Sequence, residues 1–223
     1  MLIFINEWRL LLTKKEIQTF VRYCANVIEQ KFEGKELEIV CILKGCMYFC
    51  TDLTRMLTIP HSIYMIEFSS YFDKQIQSDK IEVLSLIKAD KFKNKHVVIL
   101  DELYDNGFTL ESVKQEIINK GNVPPEKIFT CTLFKKDKVG HYPEPNLYGV
   151  SIPDLWANGM GLDDQSEKRN WKYLYACPKV DGVPKTEADK IFEDDEIYVK
   201  ERQKLLEQHE KCLTLFINKT MDE

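Results

Sequence analysis

Apolar positions recur along this chain with two periods. Ile17, Phe20, Val21, Cys24, Val27 and Ile28 share one face of a 3.6-residue repeat. Thr13 stands ahead of them with Glu16 three residues on, the capping-box arrangement in which each side chain satisfies the other residue's backbone N–H. This predicts a helix over about 13–31. Denser apolar runs predict strands at 38–43 (EIVCIL), 61–68 (HSIYMIEF), 96–101 (HVVILD), 128–134 (IFTCTLF), 147–151 (LYGVS) and 173–177 (YLYAC). Residues 47–57 and 109–121 read as helices, with Gly121 stopping the second, and 69–80 reads as a polar loop. Strands alternating with helices predict an α/β fold whose central sheet is mostly parallel and flanked by helices. Ligands of such sheets bind beyond the carboxyl ends of the strands, and Lys44, Ser69, Asp101 and Lys135 are all expected just after one.

The chain changes character near its end. Residues 181–223 are highly charged, with EDDE at 193–196, while Leu205, Leu206, Leu213, Phe216 and Ile217 recur on one helical face. We therefore expect a core over 1–180 and an extension over 181–223. The extension forms one or two helices that pack on their own domain or on a neighbouring subunit.

Composition narrows the partners. The 223 residues are 44% hydrophobic and carry a net charge of −5, so neither nucleic acid nor an anionic membrane is an expected partner. No apolar run approaches the roughly 18 residues of a membrane-crossing helix, and no secretory signal pattern opens the chain. Of seven cysteines, Cys24, Cys41, Cys46, Cys50, Cys131 and Cys177 sit in apolar segments, which points to buried thiols in a reducing, cytoplasmic setting. Cys46 and Cys50 lack a second metal-binding pair, and His61, His96, His141 and His209 show no metal spacing.

The stretch VVILDELYDNGFTL at 97–110 carries chemistry. A buried strand runs into Asp101 and Glu102, then into Asp105-Asn106-Gly107-Phe108-Thr109 at the start of a helix. Like charges repel at a strand end, whereas a glycine loop opening a helix offers backbone N–H groups to an anion. Acids beside a phosphate cradle fit a metal-assisted sugar-phosphate ligand.

This stretch resembles the ribose-phosphate motif of the type I phosphoribosyltransferases. LKGC at 43–46, SSYFD at 69–73, LFKKD at 133–137 and IPDLWANGMGLDDQSEKR at 152–169 resemble, in order, further motifs of the hypoxanthine-guanine branch. The likeness covers about 9–180 and implies the fold above with a small hood region. It implies transfer of a phosphoribosyl group from 5-phosphoribosyl 1-pyrophosphate to a 6-oxopurine with Mg2+, in a homodimer or homotetramer. It implies that Asp101 and Glu102 hold the ribose hydroxyls and magnesium, and that Asp105 is the general base at purine N7. Asn106, Gly107, Phe108 and Thr109 would wrap the 5′-phosphate, Phe108 through its amide. Lys44, Gly45 and Arg169 would bind pyrophosphate, with the Lys44–Gly45 peptide the place for a cis bond. Lys135 would donate to purine O6 with Lys136 merely solvated. Trp156 would stack on the base, Ala157 read its exocyclic position, Asp163 ligate magnesium beside a bystander Asp164, and Ser70 and Tyr71 ride a mobile loop. The family more often has Glu then Asp at 101–102, Thr or Ser at Asn106 and an apolar residue at Asn158. A regulatory, RNA-binding protein on the same fold and a xanthine-using enzyme are the alternatives; the acidic charge argues against the first.

Overall fold

The computed structural model describes residues 4–5, 8–71, 80–83, 86–163, 167–177 and 195–220. Five parallel strands form its centre: β4 (His61–Tyr71), β3 (Leu37–Leu43), β6 (His96–Tyr104), β7 (Ile128–Lys136) and β8 (Leu147–Ile152) lie in that order. β5 (Lys80–Val83) adds an antiparallel edge beside the end of β4. Helices α1 (Lys14–Lys31) and α2 (Met47–Thr54) cover one face and α3 (Phe108–Asn119) the other. The alternation of the pleat makes this possible, because β3 sends Ile39 and Cys41 into one core and Val40 and Ile42 into the other. Along the central strands β3, β6 and β7 both faces are buried, so these read as apolar runs.

Several elements outrun their apolar runs. β6 continues through Asp101 and Glu102 to Tyr104, because Asp101 pairs with Thr132 and Tyr104 with Lys135 in the ladder to β7. The acids and Lys135 therefore lie within strands, not after them. Ser69, Ser70 and Tyr71 are also strand residues rather than loop, since the ladder pairs Ser70 with Ile81 and Tyr71 with Lys80. The loop expected beyond them, with Phe72 and Asp73, lies outside the described residues. At α1 the capping box is present: the Thr13 N–H donates to Glu16 Oε2 at 2.8 Å, and Glu16 N–H donates to Thr13 Oγ1.

The hood is a second, antiparallel sheet of β1 (Phe4–Ile5), β2 (Trp8–Leu12), β10 (Leu174–Cys177) and β9 (Trp156–Asn158), in that order. β2 and β9 are short and carry no alternation that marks them, so their pairing partners, far apart in sequence, define them. A single helix, α4 (Asp195–Thr220), closes the other side of α1. Among its described side chains the buried ones are Tyr198, Leu205 and Cys212, seven apart; Leu213, expected on the buried face, is exposed, and the side chains of Phe216 and Ile217 lie outside the described residues. Polar contacts fix the register. Arg202 donates to both Glu16 oxygens at 2.7 and 2.9 Å, the Tyr198 hydroxyl donates to Leu10 O at 2.6 Å, and His209 Nε2 lies 3.1 Å from Thr19 Oγ1. The Gln208 amide pairs with both the N–H and the carbonyl of Ser151 on β8, at 2.9 and 3.0 Å. Among the described residues no helix is long and apolar enough to cross a membrane.

Leu205→Ala should destabilise the protein by about 2–5 kcal/mol in urea denaturation, because Leu205 is buried against the same core as α1. Burial alone would raise the Glu16 pKa, but Arg202 and the Thr13 cap hold it below its ordinary 4.5. The pair thus stabilises above about pH 4.5 and that stability is lost as pH falls through the lower folded value. Arg202→Met should flatten the acid side of a stability-versus-pH curve; an unchanged curve would remove this pair from the docking of α4.

Candidate active site

The carboxyl ends of β3, β6, β7 and β8 converge on one corner. β6 brings Asp101 there, 6% exposed, with its carboxylate accepting from the Glu102 N–H at 3.0 Å. Burial, then the neighbouring Glu102 charge, push the Asp101 carboxyl well above its ordinary 3.8, and burial raises Glu102 as well. Two adjacent carboxylates with little water are poised for a cation.

The turn after β3 faces them. A Cβ on Gly45 would collide with the Glu102 carboxylate, and one on Gly161 would collide with the Gly45 carbonyl. Gly161 has φ +106 and ties to Arg169 twice: its N–H donates to Arg169 O at 2.9 Å, and Arg169 Nη1 donates to its carbonyl at 2.9 Å. Arg169 also pairs with Asp163 at 2.6 Å. Glu102, Gly45, Gly161, Arg169 and Asp163 thus form one contiguous wall with anionic, N–H and guanidinium groups. The cis peptide at this turn is Leu43–Lys44, one residue before the expected Lys44–Gly45 bond. The Lys44 ammonium is largely exposed and lies 3.8 Å from Glu67. Asp164 lies outside the described residues.

Beyond β6, residues 105–109 turn into α3. Gly107 takes φ +87, which only glycine adopts without strain, and Tyr104 and Tyr142 crowd the space a side chain would need. Asn106 Oδ1 accepts from the Phe108 N–H at 3.0 Å, so Asn106 shapes the turn. Segment 138–144 walls this loop. The N–H groups of His141 and Tyr142 both donate to Asn106 O at 3.1 Å, the Tyr104 hydroxyl donates to Tyr142 O at 2.6 Å, and the Tyr142 and Phe108 rings meet at 5.5 Å.

Lys136 corrects an expectation. It is 9% exposed, not solvated, because the end of β7 aims it into a ring of alternating charges. Lys136 Nζ lies 3.1 Å from Asp105 Oδ2 and 3.2 Å from Asp154 Oδ1; Lys138 pairs with Asp105 and lies 3.2 Å from the same Asp154 oxygen. Burial raises the Asp105 pKa, but Lys138 and Lys136 outweigh it and hold the carboxyl below 3.8. Asp154 stands in the quoted segment 152–169 but has no role there from the resemblance, and Lys138 lies one residue beyond the quoted segment 133–137. Lys135 points elsewhere, to Glu144 at 3.1 Å, with Tyr148 5.6 Å away.

The purine-segment residues sit on the hood. Trp156 is 45% exposed, Ala157 pairs with Ala176 on β10, and Asn158 is fully buried. With its amide nitrogen towards them, Asn158 donates to Asp163 O at 2.8 Å and Ala157 O at 2.9 Å, so the amide braces the segment that presents Asp163. Ser70 and Tyr71 stand at the end of β4; their side chains lie outside the described residues. Among the described residues no cluster of three or more His, Cys, Asp or Glu forms a metal cage. Cys24, Cys41, Cys46, Cys50, Cys131 and Cys212 are free and buried.

Asp101→Asn should raise the melting temperature of the protein in chelator at pH 7, by about 1 kcal/mol in stability, since it removes a buried charge. A carboxyl whose folded pKa is raised costs stability as pH climbs from 3.8 through the folded value. The gain over wild type should therefore shrink towards pH 4; an equal melting temperature at pH 7 would contradict the buried pair.

A phosphoribosyl transferase domain model matches residues 10–165. The hypoxanthine-guanine phosphoribosyltransferase of Dictyostelium discoideum is 31% identical over 167 residues, 73% of this chain and 91% of that protein. The hypoxanthine phosphoribosyltransferase of Salmonella typhimurium is 26% identical over 167 residues, covering 74% of this chain and 92% of the relative. A crystal structure of a hypoxanthine-guanine phosphoribosyltransferase from Bacillus anthracis, with HEPES in its active site, superposes with a TM-score of 0.68 at 27% identity, over 75% of this chain and 97% of that one. The match of fold, motif order and converging side chains carries one conclusion: this chain belongs to the phosphoribosyl transferase domain family, in its hypoxanthine-guanine phosphoribosyltransferase branch.

Proposed function

We propose that this protein is a purine-salvage enzyme that transfers the 5-phosphoribosyl group of 5-phosphoribosyl 1-pyrophosphate to hypoxanthine or guanine. The N9–C1′ bond forms, the C1′–O bond to pyrophosphate breaks, and the N7 proton leaves the base. The wall of Glu102, Gly45, Gly161, Arg169 and Asp163 beside buried Asp101 carries this reading: it offers donors to a departing pyrophosphate and carboxylates to a ribose. The relatives named above are enzymes by name, which favours catalysis over the regulatory alternative.

The residues divide the work. Asp101 and Glu102 bind the ribose hydroxyls, and Arg169 with the Lys44–Gly45 turn takes the pyrophosphate. The loop 106–109 receives the 5′-phosphate on the N–H groups that open α3. Trp156, exposed on the hood, stacks on the base, Ala157 reads its edge through the backbone, and Lys135, on leaving its ion pair with Glu144, donates to O6. Asp105 accepts the N7 proton. Ser70 and Tyr71 belong to the segment that covers the site. Magnesium fits this donor set: Asp101, Glu102 and Asp163 are hard oxygen ligands, and burial raises the cost of leaving the first two uncompensated. Few protein ligands suffice for an ion that also binds substrate phosphates, and when bound it supplies neutralising charge at the leaving group.

Assembly as a homodimer or homotetramer is supported by an uncovered face. In register with Ile39 and Cys41, Ile63 and Met65 share the α2 side of the sheet, and with Met47 they are 45%, 56% and 41% exposed.

A pyrophosphate-release assay with each purine in turn tests the activity. Hypoxanthine and guanine should turn over, and adenine should be poorer by about tenfold to a few hundredfold. The Lys135 ammonium has only donors and would face adenine's amino group unpaired. Lys135→Ala should shrink that discrimination; equal use of adenine by wild type would overturn the assignment. Separately, Asp105→Asn should lower kcat by about 10²–10⁴, and a loss within about threefold would remove Asp105 from the base role.

A further inference from the structure

We propose that Lys138 is a ligand of the substrate's 5′-phosphate, reaching the cradle from the segment that walls it and exchanging its ion pair with Asp105 for the phosphate. The proposal rests on the reading above that places a sugar phosphate on residues 106–109.

The cradle lacks a cation. Residues 105–109 are Asp, Asn, Gly, Phe and Thr, and Asp101 and Glu102 stand just before them. A phosphate dianion arriving there meets backbone N–H groups and three carboxylates. The helix N-terminus contributes only about half a positive charge, too little to offset them. Magnesium answers Asp101 and Glu102, and Lys136 with Lys138 answers Asp105, so a cationic side chain for the phosphate itself comes from outside the loop.

Nearby lysines differ in their freedom to supply it. Lys136 is buried with an exposure of 11% at its side chain, and leaving its two carboxylates would strand the charge. Lys135 points to Glu144 and the Tyr148 ring. Lys138 already touches Asp105, the first residue of the loop, and its side chain is 33% exposed. The segment that carries it is tied to the cradle by the His141 and Tyr142 N–H groups on Asn106 O and by the contact of Tyr142 with Phe108. The ammonium is thus tethered at the rim of the phosphate site on a flexible stem. When Lys138 turns to the phosphate, Lys136 still holds Asp105, and Asp154 still holds Lys136. Asp105 then loses one of two cations, which increases its affinity for a proton just when a base is needed.

Calorimetric titration of the full chain with inosine 5′-monophosphate and with inosine tests this. The two ligands differ only in the phosphate. Lys138→Met should lower the nucleotide-to-nucleoside affinity ratio by about tenfold or more, the scale of a charge-assisted hydrogen bond, with any effect through Asp105 shared by both ligands and cancelling in the ratio, and the ratio should be partly restored in Lys138→Arg. A ratio equal to that of wild type, or an equal loss for both ligands, would overturn the assignment. The salvage reading is judged separately, on pyrophosphate release by the wild type: turnover there with an unchanged ratio in the variant sinks Lys138 alone, whereas no turnover and no nucleotide binding sink both.

Discussion

Charge held out of water at the carboxyl end of the sheet organises this molecule. Asp101 and Glu102 stand side by side where β6, paired with β3 as far as Leu100, continues along β7 alone. The rest of the site answers that charge. Gly45 has no side chain, so the turn after β3 can approach Glu102 closely enough to present its backbone. Gly161 lets the purine segment approach that turn in the same way, and Arg169 closes the circuit onto Asp163. A second circuit of two lysines and two aspartates holds Asp105, so Asp105 and Asp163 have counter-charges within the protein while Asp101 and Glu102 await one.

The sheet and its flanking helices were legible because the central strands β3, β6 and β7 are buried on both faces, which leaves a run of apolar residues, and because Thr13 and Glu16 announce a helix locally. The acids and glycine at 101–109 stood out because three carboxylates make no sense at an ordinary strand end, whereas 152–169 stood out through its resemblance to a family motif. What escaped was non-local. β2 and β9 are strands because they pair with β10, not because of their own pattern. Lys136 looks like any surface lysine next to Lys135, but odd and even positions of a strand point to opposite sides, and the side it takes holds Asp105 and Asp154. The position of the cis bond at Leu43–Lys44 likewise has no sequence signal in residues that are not proline.

Asn106 and Asn158 illustrate how departures from a family pattern are absorbed. Asn106 shapes the turn that opens α3, through a bond that a shorter hydroxyl side chain would make with different geometry. Asn158 is buried where an apolar residue is usual, and its amide is satisfied by two carbonyls of the segment it supports. In both cases the polar group binds backbone of the segment it belongs to.

The bond between Gln208 and Ser151 bears on how the chain behaves in a crowded solution. β8 is the last strand of its sheet, and such a strand offers unpaired N–H and carbonyl groups to any other extended segment it meets. A side-chain amide of α4 fills one donor and one acceptor at the end of that strand, acting as a one-residue imitation of a neighbouring strand. The appended helix thus closes one position of an otherwise open sheet edge, the kind of place where sheet-to-sheet association begins.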